Sequence, residues 1–192
     1  MTGDRTGQLV ALVRASGWLM DVLATVRATG PAGSWVGAGV LRDLVWSERF
    51  GAGFEPARVR DVDVAFHDPT DLSRERDARA TAALRTADPS VPWEATNQAA
   101  VHTWYREFFG DPAEPLASVP DAVGTWPETA TSVAVRLTGT GAIAVCAPLG
   151  LADLLDGVWR RNPRRISVGR SRDRLARQRP ERRWPGVTVL AP

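Results

Sequence analysis

The chain has 192 residues, 44% of them hydrophobic and 24% charged, with a net charge of +2. That is enough for one domain with a sizeable core, and no stretch approaches the ~18 consecutive apolar residues of a membrane span. All 24 basic residues are Arg and none is Lys, which excludes a P-loop lysine and Schiff-base chemistry, although GC-rich coding bias alone produces the same composition.

In chain order, residues 8–27 carry apolar positions at helical spacing, and Gly17 is expected to split them into two helices; these N-terminal helices span about 6–28. Residues 34–36 form a strand candidate, and residues 40–46 a helix after the turn Gly37-Ala38-Gly39. Residues 50–60 read as a Gly- and Pro-rich loop, and residues 61–66 alternate as a half-buried strand does. A charged helix over 72–85 follows, then a strand over 91–96 and a helix over 97–108. Residues 110–126 are a proline-bearing loop with room for a short helix. Residues 132–137 and 142–147, joined by Thr138-Gly139-Thr140-Gly141, predict a β-hairpin. Residues 151–160 read as helical, Asn162-Pro163 stops them, and an Arg-rich helix is expected over 168–178. Strands and helices interspersed around one sheet predict an α+β fold, a mixed β-sheet flanked by helices, in a single domain spanning 1–192.

The start, Met1-Thr2-Gly3-Asp4-Arg5, lacks the layout of a secretory signal, and the lone Cys146 excludes an intrachain disulfide. Both favour the cytoplasm, with no membrane partner. Charge is unevenly spread: residues 160–183 hold 11 Arg against two acids, and the rest holds 13 Arg against 20 acids. The basic C-terminal segment therefore either meets an anionic partner such as RNA or a triphosphate, packs on the acidic body of its own chain, or stays solvated.

The chemistry-bearing pattern runs from Trp35 to Val64. Gly37-Ala38-Gly39 lets backbone approach a ligand closely, and the helix after it points its first N–H groups at the same place, as phosphate binding requires. Asp61 and Asp63, two apart on a strand, share one face. Paired carboxylates repel unless a cation neutralises them, and hard oxygen ligands suit Mg²⁺ or Mn²⁺. An isolated Asp-x-Asp is as readily two solvated acids.

Taken in order, the turn, Arg42-Asp43 and Asp61-Val62-Asp63 resemble the head-domain signature of the DNA polymerase beta-type nucleotidyltransferase superfamily. The form most similar is that of class II CCA-adding enzymes and bacterial poly(A) polymerases, Gly-Gly-x-Val-Arg-Asp followed by Asp-x-Asp. Here Ala38 replaces the middle glycine, and Val40-Leu41-Arg42-Asp43 has one extra residue before Arg42. Trp93, Asn97-Gln98-Ala99, His102, Trp126-Pro127-Glu128-Thr129-Ala130-Thr131, Ala147-Pro148-Leu149-Gly150-Leu151, Arg161-Asn162-Pro163 and Trp184-Pro185 resemble a narrower bacterial group, nucleotidyltransferase family proteins (domain of unknown function 925). The resemblance covers roughly residues 18–190.

The resemblance implies transfer of a nucleoside monophosphate from an NTP to a hydroxyl acceptor, with release of pyrophosphate. It implies that Asp61 and Asp63 ligate Mg²⁺ or Mn²⁺, that Gly37, Ala38 and Gly39 line the triphosphate, and that Arg42 is the nearest positive charge. Asp43 either orients Arg42 or contacts the nucleotide. A third carboxylate is expected on a neighbouring strand; Glu94 is the candidate, with a surface glutamate as the equal alternative. Asn97, Gln98 and Arg136 are candidates for nucleotide or acceptor contact, with Asn97 equally readable as a helix N-cap. Glu128 reads as a capping acid or part of an acceptor pocket. His67, His102 and Cys146 read as structural. Two rivals stay open: a non-catalytic nucleotide- or RNA-binding module of the same fold, and a metal-dependent phosphohydrolase using the same Asp pair. The first draws weight from the missing helical tRNA-binding body and from the uncertainty of Glu94. The acceptor could be RNA, protein or a small molecule.

Overall fold

The computed structural model describes residues 4–192. Asp4 caps helix α1 (Arg5–Ala15) by accepting from the Gly7 amide, and Ser16 ends α1 and caps α2 (Gly17–Thr29) by accepting from Leu19. The two helices bend by 94° at that serine. The N-terminal pair therefore breaks one residue before Gly17, because a serine oxygen satisfies the new helix's free N–H groups. No single helix among the described residues is long and apolar enough to cross a membrane.

Next come β1 (Trp35–Gly37), α3 (Gly39–Phe50), β2 (Val62–Phe66), α4 (Arg74–Ala87) and β3 (Trp93–Asn97). They are followed by α5 (Val101–Phe109), α6 (Val119–Val123), β4 (Ala134–Leu137) and β5 (Ile143–Cys146). These five strands make a mixed sheet in the order β3-β2-β1-β4-β5, with β2 and β3 parallel and the other pairs antiparallel. The expected β4–β5 hairpin forms.

Strand alternation separates the two faces of the sheet. Val36, Val62, Val64, Phe66, Trp93, Ala95, Val133 and Val135 join α1 to α4 in the main hydrophobic core. On the other face Trp35, Ala65, Ala134 and Cys146 pack with Val119, Val123 and Trp126. Asp63 and Glu94 fall on this second face, because each is flanked by core residues in its strand.

The C-terminal third departs from the expected helix over 151–160. The helix α7 covers only Ala152–Leu155; Gly157 then takes a left-handed φ of 69°, and Val158–Trp159 forms strand β6. After α8 (Val168–Gln178) and α9 (Pro180–Arg183), β7 (Thr188–Val189) pairs in parallel with β6, making a second, two-stranded sheet beside the expected single one. Three buried indoles tie this return to the body. Trp46 lies 6.4 Å from Trp159 and 5.2 Å from Trp184, and its Nε1 donates to the Leu154 carbonyl.

Candidate active site

The second face of the sheet opens into a cleft of about 860 Å³. Ala38, Gly39, Arg42, Asp61, Asp63, Glu94 and Gln98 all border it. Asp61 stands exposed just ahead of β2, and Asp63 is half-buried inside the strand. In the parallel β2–β3 register Glu94 is the direct neighbour of Asp63. Burial pushes the Asp63 carboxyl up to about 7, with the Asp61 and Glu94 charges adding to it and Arg174 and Arg42 opposing it. Burial is the main cause, and the neighbouring carboxylates reinforce it.

An all-oxygen set of closely spaced carboxylates fits a hard divalent ion. Asp61 and Asp63 are the residues that would hold it. Among the described residues no group of three or more Asp, Glu, His or Cys stands close enough to form a ligand cluster, so Glu94 borders the cleft without closing a three-carboxylate set.

The three residues of the turn have different jobs. A Cβ on Gly37 would lie 2.6 Å from the Val133 carbonyl oxygen, 2.8 Å from the Trp126 ring and 2.9 Å from the Ala134 Cβ. Gly37 is thus required by packing of β1 against β4, and it does not border the cleft as expected. A Cβ on Gly39 would meet only Arg42 Nη2 at 3.7 Å and Asp61 Oδ1 at 3.8 Å, so this glycine keeps open the space between cation and acid. Ala38 sits at φ 56°, ψ −122°, an unusual conformation for a residue with a Cβ, and its amide donates to the Val133 carbonyl. Ala38 therefore takes the strained position of the turn, directly ahead of the first free N–H groups of α3.

Arg42 is buried, and its Nε and Nη2 donate to Asp43 Oδ1 at 2.9 and 2.6 Å. Arg183 donates to the other Asp43 oxygen at 2.9 Å, and the Arg42 guanidinium lies over the Trp159 and Trp184 rings at 5.8 and 5.5 Å. Asp43 is thereby fully occupied in holding arginines and lies outside the cleft.

Of two further candidates, Asn97 takes its N-cap alternative and Arg136 stands outside the cleft. Asn97 is fully buried; its Oδ1 accepts from the Asp68 and Ala99 amides, and its Nδ2 donates to the Asp68 and Asp71 carbonyls. Every polar atom of the amide is used on backbone, so it is the N-cap and loop anchor rather than a ligand contact. Arg136 lies over the Trp35 ring at 4.5 Å and borders a separate pocket with Arg27 and Gly30, away from the Asp pair.

The sequence reading missed the opposite wall of the cleft. There Arg165, Arg170, Arg174 and Arg177 come from α8 and the loop before it, and Trp104, Tyr105, Phe108 and Phe109 come from α5. Arg174 donates through Nε and Nη2 to the two oxygens of the fully buried Glu128, at 2.7 and 3.0 Å. Burial works against its charge, yet the Glu128 hydrogen bond and the Glu128, Asp63 and Asp61 charges hold its guanidinium above the ordinary value. The only sequence signal for this wall was the net positive charge of residues 160–183 set against an acidic body.

Residues 24–189 match the model of a family described as Nucleotidyltransferase. The chain belongs to the nucleotidyltransferase family. The family description is the broad one, without the narrower grouping expected from the later motifs. The fold is similar to an NMR structure described as a CCA-adding enzyme head domain, with a TM-score of 0.80 and 25% identity over 97% of this chain and 96% of that one. No curated protein matches the chain. Membership of the nucleotidyltransferase family implies an NTP substrate, and enzymes of this kind generally use divalent metals.

Proposed function

We propose that the protein transfers a nucleoside monophosphate from an NTP to a hydroxyl acceptor, using Mg²⁺ or Mn²⁺ bound by Asp61 and Asp63. The observation that supports this best is the meeting of Asp61, Asp63, Gly39 and Arg42 in one cleft of a nucleotidyltransferase-family chain. The acceptor oxygen forms a bond to the α-phosphorus, the bond from that phosphorus to the bridging oxygen of the β-phosphate breaks, and pyrophosphate leaves with the electron pair. The acceptor proton passes to solvent or to a carboxylate of the cleft. The bound cations would supply charge neutralisation at the α-phosphate and activation of the acceptor oxygen.

The chain's own residues position and neutralise. The first N–H groups of α3 receive the phosphate oxygens, Gly39 leaves them room, and Arg42 supplies a cation whose direction is fixed by Asp43. Glu94, the neighbour of Asp63 in the β2–β3 register, would serve as the third carboxylate toward the cation. In the same reading residues 1–192 work as one domain in the cytoplasm, where NTPs and Mg²⁺ are supplied, and the Arg-rich wall of the cleft receives an anionic acceptor.

One observation favours a second reading. The lack of a three-ligand cluster among the described residues suits a module that binds NTP without turning it over. Incubation with labelled NTPs, Mg²⁺ or Mn²⁺ and a pool of small RNAs, proteins and sugars separates the two. Transfer of label that Asp61→Asn abolishes supports the transferase, and tight NTP binding without turnover supports the module. Release of phosphate without transfer points instead to a hydrolase.

A further inference from the structure

We infer that Arg174 is a second triphosphate-binding cation, with Glu128 as its positioning residue. The inference rests on the proposed NTP site and extends it to a helix that the sequence signature does not reach. Arg42 and Arg174 both border the cleft of the Asp pair, and they are built alike. Each commits Nε and Nη2 to a carboxylate supplied by its own surroundings, Asp43 in one case and Glu128 in the other. In each, the rest of the guanidinium borders the cleft that holds the Asp pair. Among the described residues Arg174 Nη1 has no hydrogen-bond partner, so a donor edge is left for a ligand.

Glu128 supports this from a different direction. It is 0% exposed, and Thr131 Oγ1 donates to its Oε2 at 3.1 Å beside the two Arg174 bonds. Removing a carboxylate wholly from water is costly, and a buried ion pair is a poor stabilising device compared with apolar packing. What such a pair does well is fix the plane and direction of a guanidinium. Here the guanidinium so fixed belongs to a residue that borders the same cleft as Asp61 and Asp63, the place where an anionic ligand with its cation would come to rest. Arg165, Arg170 and Arg177 border the same cleft but make no such buried pair, which singles out Arg174 among the arginines of that wall.

Titration calorimetry of the full chain with an NTP, inorganic tripolyphosphate and the matching nucleoside, all with Mg²⁺, tests this. Arg174→Ala is expected to weaken NTP and tripolyphosphate binding about 10- to 100-fold, the range for a lost hydrogen bond to a charged group, and to leave nucleoside binding within about twofold. Arg174→Lys restores part of the loss, since charge returns without the fork. Glu128→Gln lowers NTP affinity about 3- to 10-fold with nucleoside affinity unchanged; a merely structural glutamate would lower both together. Equal loss for NTP and nucleoside in Arg174→Ala, in protein whose circular dichroism matches wild type, overturns the inference. So does NTP affinity unchanged by Arg174→Ala, with the proposed function left standing. Failure of the wild-type chain to bind NTP or tripolyphosphate overturns both.

Discussion

At the scale of single residues, the three small residues of the β1–α3 turn separate folding from ligand binding. Gly37→Ala puts a methyl into the Val133 carbonyl and the Trp126 ring and should cost about 2 kcal/mol or more in urea denaturation. Gly39→Ala meets only ordinary contacts, so the fold should survive while NTP affinity falls, because the methyl narrows the gap between Arg42 and Asp61. Ala38→Gly removes a Cβ from a positive φ and should raise stability by about 1 kcal/mol in the same assay. Asp63 predicts a pH dependence. The native carboxyl holds its proton to about 7, whereas the unfolded one releases it near 3.8. The native state therefore binds more protons between these values, so its contribution to stability is full below about 4 and is lost as pH rises to about 7. Metal-free wild type should lose more stability across that window than Asp63→Asn does, and saturating Mg²⁺ should remove the difference.

At the scale of elements, Asn97 ends β3, starts the following turn and anchors the β2–α4 loop. Asn97→Ala strips partners from two amides and two carbonyls and should cost about 3 kcal/mol in thermal or chemical unfolding, while folded protein keeps its NTP affinity. The outcome for Asn97 shows what a sequence can and cannot reveal. Local periodicity exposed the strand pattern of residues 61–66 and the helix over 168–178, because each carries its own alternation or cap. The two-residue spacing made the Asp pair legible as a candidate, whereas the place of Glu94 beside Asp63 depends on the parallel β2–β3 register, which local alternation does not reveal. Asn97 and Arg136 are polar residues beside apolar runs, and only tertiary contacts decide whether such a group looks at a ligand or at backbone. The helix expected over 151–160 failed at Gly157, where a left-handed turn and pairing with a distant β7 outweigh local helical preference.

At the scale of the whole molecule, the cleft has two walls from opposite ends of the sequence. The first, from β1 to β3, follows from motif spacing. The second, from α5 and α8, is set by a C-terminal return that Trp184 pins to Trp46, with its Nε1 donating to Ser47 Oγ at 3.0 Å. Trp184→Ala should lower stability by about 3 to 5 kcal/mol by denaturant titration. It should also loosen the Arg183–Asp43–Arg42 chain, so that NTP affinity falls even at temperatures where the variant stays folded. The charge asymmetry of the chain has a structural counterpart, since arginines of residues 160–183 line the cleft of an acidic body. That arrangement has a consequence for biosynthesis. The ribosome delivers Arg42, Asp61, Asp63 and Glu94 long before Arg174 and Trp184, so the growing chain carries its clustered acids with only one of the two arginines that face them. On the proposed reading of the site, its second wall is added only when residues 160–184 fold back, so a nascent chain would be expected to bind NTP fully only at that stage.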